Sequence, residues 1–233
     1  MVERLIAENV ARVRRRIETA ARAAGRAPES VRMVAVTKYV DASTAAALLN
    51  AGCLELGESR PQQLWAKAAS APLAGARWHL IGRLQRNKVR RTLPLTSLIH
   101  SVDSQRLLSA IDDTAAELEL QVRVLLEVNC SGEDAKQGFH PAELSRLLPS
   151  LSALRSTAVA GLMTMAPLDG GDSAAHRAFA TLRTLRDELI SATPPPHDLA
   201  ELSMGMSGDF EAAIAEGATI VRIGSMLYDG LDL

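Results

Sequence analysis

The chain has 233 residues, of which 47% are hydrophobic and 23% charged, the proportions of a globular protein with a sizeable core and not of a disordered or low-complexity chain. With 26 Lys and Arg against 27 Asp and Glu the net charge is −1, which speaks against a surface dedicated to coating nucleic acid, and Cys53 and Cys130 form neither a CxxC motif nor a disulfide framework. No segment approaches the ~18 apolar residues of a membrane span, and Glu3, Arg4 and Glu8 interrupt the apolar positions where a signal peptide needs an unbroken run, so a cytoplasmic location is expected.

Ile6, Val10, Val13, Ile17 and Ala21 recur at spacings of three and four, the period of one helical face, and predict a leading N-terminal helix that ends near Gly25. Its Arg12, Arg14, Arg15 and Arg16 stand near Glu8 and Glu18 and read as a solvated face. Eight short apolar runs follow, at residues 31–37, 54–57, 78–82, 98–102, 122–129, 159–163, 202–204 and 220–224, separated by stretches able to form helices. Runs such as Val122-Arg-Val-Leu-Leu-Glu-Val128 are nearly continuous, as strands buried on both faces require. Eight βα units in this length predict a single α/β domain over residues 1–233, a (β/α)8 TIM-type barrel with a leading N-terminal helix and no second domain. A doubly wound open sheet is the alternative, but no G-x-G-x-x-G follows a strand and no P-loop motif occurs. Thr193-Pro-Pro-Pro-His197 lies between a helix and the seventh strand and reads as a rigid loop, not a domain boundary.

A barrel builds its site where strands end and βα loops begin. Lys38 closes the run Val34-Ala-Val-Thr37 and is placed at the barrel mouth, where partial desolvation favours the neutral amine that forms Schiff bases. The plainer alternative is a surface lysine that follows a strand. The seventh and eighth junctions, residues 202–209 and 220–225, are where barrels commonly bind phosphate. Ser203 and Ser207 bring hydroxyls there, Gly205 and Gly208 let the backbone approach an anion, a helix starting near Gly208 brings free amides, and Gly224 and Ser225 join the cradle. Such turns also serve merely to cap helices, as Ser207 or Asp209 can. Arg222 sits inside an apolar strand and needs a partner, either a barrel carboxylate or an acceptor on a ligand. Lysine, cradle and arginine together describe pyridoxal 5'-phosphate, with its aldehyde on Lys38, its phosphate at the last two loops and its ring nitrogen at Arg222.

These residues belong to a longer set of motifs: Ala35-Val-Thr-Lys-Tyr39, Gly57-Glu-Ser59, Trp78-His-Leu-Ile-Gly82, Leu84-Gln-Arg-Asn-Lys88, His100-Ser-Val-Asp103, Gly161-Leu-Met163, Leu202-Ser-Met-Gly-Met-Ser207 and Val221-Arg-Ile-Gly224. Through them the chain resembles the pyridoxal-phosphate homeostasis protein family almost end to end. The resemblance implies a barrel like the N-terminal domain of alanine racemase, a cofactor held as a Schiff base, and a part in balancing free pyridoxal phosphate and amino-acid pools. By position it implies that Lys38 is the Schiff-base lysine, that Arg222 faces the ring nitrogen, and that Ser203, Ser207, Gly224 and Ser225 lie at the phosphate. The chain departs from the family pattern at Ser59, where asparagine is usual, and at Arg83, where proline is frequent. Arg83 joins Arg86, Lys88, Arg90 and Arg91 in a basic cluster that reads as a solvated helix face.

His79 reads either as a hydrogen-bonded structural histidine or as a neighbour of the cofactor, and the five histidines show no metal-ligating spacing. Met163, Met165, Met204 and Met206 read as soft packing around the barrel top, and Cys130 as an inert thiol. Three functions stay open: a cofactor-binding homeostasis protein with little or no turnover, a pyridoxal-phosphate-dependent racemase, and a Schiff-base aldolase. Racemisation needs a second acid–base group facing Lys38. The tyrosines offer none, since Tyr39 is expected to point away from its strand neighbour and Tyr228 lies near the terminus. An arginine at the ring nitrogen also disfavours the protonated pyridine on which carbanion chemistry depends. The expected partners are the cofactor and amino acids, with no specific nucleic acid, no membrane and no metal, and a monomer is expected ahead of a dimer.

Overall fold

The computed structural model describes residues 1–131, 137–167 and 169–231, and in it every apolar run becomes a strand. The strands are β1 (Arg32–Val36), β2 (Glu55–Glu58), β3 (Arg77–Leu80), β4 (Leu98–Val102), β5 (Val122–Glu127), β6 (Thr157–Met163), β7 (Glu201–Ser203) and β8 (Ile220–Ile223). The helices are α1 (Val2–Ala23), α2 (Ala42–Asn50), α3 (Pro61–Ala68), α4 (Val89–Thr92), α5 (Gln105–Glu117), α6 (Pro141–Leu151), α7 (Gly171–Ile190) and α8 (Phe210–Ala215). β5 stops two residues before the apolar run does because the Asn129 amide bonds the Phe139 carbonyl instead of the next strand.

All strands pair in parallel and in chain order, and β8 closes on β1 with Val34 opposite Arg222. The open-sheet alternative is thereby excluded. Alternate side chains divide the core in two, as the period of a strand dictates. Ala35, Leu56, Trp78, Ile99, Val124, Leu162 and Val221 face outward and pack under the helices. Val34, Leu98, Leu125, Ala160, Met163 and Ile220 form a separate cluster that fills the barrel. Buried among these inward positions are polar residues, His79, His100, Ser203 and Arg222.

α1 buries the predicted face, Ile6, Val10, Val13, Ile17 and Ala21, together with Asn9. The Asn9 amide donates to the carbonyls of Leu227 (3.2 Å) and Asp229 (3.0 Å), tying α1 to the segment after β8. Its arginines are more than a solvated face: Arg12 pairs with Asp229 at 2.8 Å, Arg14 donates to the Gly52 carbonyl at 2.8 Å and Arg16 to Glu211 at 2.7 Å. The proline stretch before β7 is a loop, fixed by His197, which accepts from the Val159 amide at 3.0 Å and bonds the Leu151 carbonyl at 2.9 Å. Among the described residues no helix is long and apolar enough to cross a membrane.

Candidate functional site at the barrel mouth

A cavity of about 750 Å³ opens at the C-terminal ends of the strands. Its walls include Lys38 and Tyr39 after β1, Ser59 after β2, Ile81, Gly82 and Arg83 after β3, and Glu127 at the end of β5. Met206, Ser207 and Gly208 after β7, and Arg222, Gly224, Ser225 and Tyr228 from β8 and the turn beyond it, line it as well. Polar side chains collect here because each strand ends its apolar run at this face, where the helices no longer cover it.

Lys38 is half-buried, and its Nζ lies 4.8 Å from the centre of the Tyr39 ring. No carboxylate of the described residues pairs with it. Tyr39 does not point away as strand alternation predicts, because β1 ends at Val36 and Lys38 and Tyr39 lie in a turn. The peptide before Lys38 is held from below. Tyr228 donates its hydroxyl to the Val36 carbonyl at 2.8 Å, and Lys67 donates to the Thr37 carbonyl at 2.6 Å.

Arg222 is buried in β8, and its partners differ from both expected kinds. Nη1 donates to the Ser203 hydroxyl at 2.7 Å and Nη2 to the Thr164 carbonyl at 3.0 Å. Burial lowers its pKa to about 10, against the pull of Asp209 and Glu127, so it stays charged at neutral pH. A guanidinium has five N–H donors, and the described residues take two of them, which leaves donors for the cavity that Arg222 lines.

Two residues expected at a bound phosphate stand elsewhere. Ser203 faces into the barrel, fully buried beneath the cavity, because the period of β7 turns it inward toward His100 and Arg222. Gly205 supports the turn after β7 with a φ of +91° and accepts the Arg222 amide at 2.9 Å; a Cβ there would meet Ala213 at 2.6 Å and Phe210 at 2.9 Å. Its freedom serves the packing of α8. Ser207, Gly224 and Ser225 do line the cavity, and the Ser207 hydroxyl accepts the Gly224 amide at 3.2 Å, joining the two loops.

Glu127 is a titratable cavity residue that sequence reasoning passed over. Burial, and then the nearby charge of Asp103, push its carboxyl up to about 7, with Arg222 opposing. Its place at the end of β5 was the available signal, masked by reading the run through to Asn129. His79 is structural, bonded through its two ring nitrogens to Glu55 and His100. Arg83 stands in a loop at the cavity rim and not on a helix face, whereas Arg90 pairs with Glu117 at 2.5 Å and Arg91 covers the Trp65 ring at 4.3 Å. Met165 and Met206 border the cavity, while Met163 and Met204 pack in the cores. Burial pushes the Cys130 thiol up to about 11, which keeps it protonated and unreactive. Among the described residues no group of three or more His, Cys, Asp or Glu is arranged to hold a metal ion.

The family described as alanine racemase, N-terminal domain, matches residues 8–232. A pyridoxal phosphate homeostasis protein of Aquifex aeolicus is 39% identical over 223 residues, 95% of this chain and 96% of the relative. The structure of PipY from Synechococcus elongatus with pyridoxal phosphate bound superposes with a TM-score of 0.84 at 38% identity, covering 95% of this chain and 99% of that one. An alanine racemase of Clostridium difficile shares the fold, with a TM-score of 0.74 at 17% identity over 96% of this chain and 56% of the racemase. With its barrel and its relatives in agreement, the chain belongs to the pyridoxal phosphate homeostasis protein family, built on the alanine racemase N-terminal domain.

Proposed function

We propose that this protein binds pyridoxal 5'-phosphate in the barrel mouth as a Schiff base on Lys38, and serves cytoplasmic cofactor and amino-acid homeostasis as a monomer with little or no catalytic turnover. The observation that carries the reading is the convergence on one cavity of a lysine that no carboxylate of the described residues pairs with, a buried arginine of whose five donors the described residues take two, and two Ser/Gly loops that are hydrogen-bonded to each other. Each fits one part of the cofactor. When bound, the group supplies an electrophilic carbonyl carbon and an electron-withdrawing ring.

The protein's own residues do the holding. Lys38 offers its amine from a fixed backbone, Ser207 and Ser225 offer hydroxyls beside the small residues Gly208 and Gly224, and Arg222 offers N–H donors to the ring nitrogen. Because a guanidinium gives up its proton so reluctantly, Arg222 meets that nitrogen as a hydrogen-bond donor and does not protonate it. The two tyrosines of the cavity are poor proton shuttles for a racemase. Tyr228 spends its hydroxyl on the Val36 carbonyl and burial raises its pKa above the ordinary phenol range. Tyr39 presents the face of its ring to Lys38.

The test is the visible spectrum of the purified protein with added cofactor, for wild type and Lys38→Ala, followed by borohydride reduction and peptide mapping. A yellow wild type with a reduced pyridoxyl adduct on Lys38, absent from Lys38→Ala, supports the reading. A wild type that stays colourless with excess cofactor sinks it and promotes the sugar-phosphate aldolase. Steady racemisation of an amino acid, lost in Lys38→Ala, would overturn the claim of little turnover.

A further inference from the structure

The hydrogen bonds that hold Arg222 do not stop at Ser203. The Ser203 hydroxyl lies 2.8 Å from His100 Nδ1, His100 Nε2 lies 2.8 Å from His79 Nδ1, and His79 Nε2 meets the carboxylate of Glu55. Ser203, His79 and His100 are at most 2% exposed, and Arg222 is 4% exposed. The line crosses the barrel interior from the cofactor end of β8, through β7, β4 and β3, to the opposite rim, where Glu55 opens β2 and also pairs with Arg77 at 2.6 Å.

Elementary donor counting gives this line a direction. A guanidinium only donates, so the Ser203 oxygen accepts from Arg222 and its one hydrogen goes to His100 Nδ1. A neutral His100 then carries its proton on Nε2 and donates to His79 Nδ1, and His79 carries its own proton on Nε2 and donates to Glu55. The reverse filling would put two donors on the Ser203 oxygen and leave its hydrogen without an acceptor in a dry interior. Burial, with help from the charges around it, holds His100 neutral, and the bond to His79 keeps Glu55 ionised.

We propose that Glu55, His79, His100 and Ser203 form a one-way positioning relay for Arg222, anchored by a carboxylate at the far end of the barrel, which fixes the guanidinium's rotamer and so the direction of the donors it presents to the cavity. The relay rests on the cofactor-binding reading only for its purpose; its existence is a property of the protein alone. Charged hydrogen-bonded chains of this kind order a site because every member must keep its partner or be left unsatisfied. None of the four relay members lines the cavity. They are positioning residues for the cofactor's ring nitrogen, which Arg222 faces.

The experiment begins on the protein without cofactor, labelled with 15N in histidine and arginine. Both His79 and His100 are expected as neutral Nε2–H tautomers, with a scalar coupling across the hydrogen bond between His100 Nε2 and His79 Nδ1. A His100 bearing its proton on Nδ1, or no coupling between the two rings, overturns the relay whether or not the protein binds cofactor. The second arm compares Glu55→Gln, whose carbonyl still accepts from His79, with His79→Leu, which cuts the line. Glu55→Gln should keep the coupling and the position of the bound cofactor's absorption band. His79→Leu should move that band and the Arg222 side-chain 15N resonances, and weaken cofactor binding about tenfold, the equivalent of one hydrogen bond. If His79→Leu folds and changes neither the band nor the Arg222 resonances, the relay does not position Arg222. If it fails to fold, the wild-type coupling and the Glu55→Gln band decide.

Discussion

The ammonium of Lys67 donates to the carbonyl of Thr37 at 2.6 Å, so one buried lysine clamps the peptide from which the next residue, Lys38, reaches into the cavity. Lys67 also pairs with the fully buried Glu58, which accepts from the Thr37 hydroxyl at 2.9 Å. Both charges are satisfied inside the protein, and the backbone from which Lys38 projects is fixed. Removing one member leaves the other charged and alone. Lys67→Met is therefore expected to cost about 3–5 kcal/mol in denaturant unfolding, and the double variant Lys67→Met with Glu58→Leu to recover most of it. A double variant no more stable than the single one would show that the pair is not the source of the loss.

Ser207 joins the last two βα loops through the Gly224 amide and lines the cavity. Ser207→Ala is expected to weaken pyridoxal phosphate about tenfold, the loss of one charge-assisted hydrogen bond, while leaving pyridoxal, which has no phosphate, nearly unaffected. Fluorescence titration with the two ligands measures both. Equal losses would place Ser207 away from the phosphate.

Two buried groups place opposite slopes on the stability of the protein without cofactor, both on the acid side of neutrality. Burial first, and then Asp103, push the Glu127 carboxyl from 4.5 up to about 7. The folded state thus binds this proton more tightly than the unfolded chain, and the stability it supplies below about pH 4.5 is lost as the pH rises through about 7. His100 has the opposite slope. Burial, with the charge of Arg222 adding to it, holds the ring well below its ordinary pKa of 6.5, so stability present above that value is lost as the pH falls and the unfolded chain takes up the proton. Glu127→Gln, which cannot ionise, should exceed wild type by up to about 3 kcal/mol at pH 8 and match it near pH 4. Denaturant midpoints across this range check the sign, and a wild-type advantage at pH 8 would reverse it.

Gly161 and Gly82 are set by contact, not by backbone angle. A Cβ on Gly161 would lie 2.0 Å from the Glu201 carbonyl oxygen, and one on Gly82 would lie 2.3 Å from that of Ser59. Neither neighbour is a flexible side chain that can swing aside. Each alanine substitution is expected to cost about 1–3 kcal/mol or more in melting experiments, and Gly82→Ala also to weaken cofactor binding, because both Gly82 and Ser59 line the cavity. Gly75→Ala is the control, since a Cβ there meets nothing within 4 Å and Gly75 does not line the cavity.

The barrel was legible in the sequence because strands buried on both faces leave continuous apolar runs, and eight of them admit few arrangements. That Lys38, Ser207, Arg222, Gly224 and Ser225 line the barrel mouth was legible for a related reason: polar and small residues near the ends of such runs stand out. What the sequence hid was direction and depth. Ser203 ends its run as Ser207 follows it, and only the pleat of β7 turns the first into the barrel. Tyr39 obeys alternation only if the strand reaches it, and β1 stops at Val36. The partnership of Glu55, His79 and His100 depends on register between neighbouring strands, which places Glu55 beside Arg77 and His79 beside Leu98. No local pattern records that.

The parallel pairing of β1 with β8 sets Val34 opposite Arg222 and so joins the lysine's strand to the arginine's strand along a single seam. Nearly the whole barrel must be synthesised between the two, and neither half of the site exists in a usable form until the last strand docks. Bound as proposed, to Lys38 on one side of the seam and to Arg222 and the Gly224 loop on the other, the cofactor would act as a clasp across it. Under that proposal cofactor binding and barrel closure are linked: the bound group would favour the closed seam, and loosening β8 from β1 would withdraw Arg222 and the Gly224 loop, leaving only the bond to Lys38 to be undone.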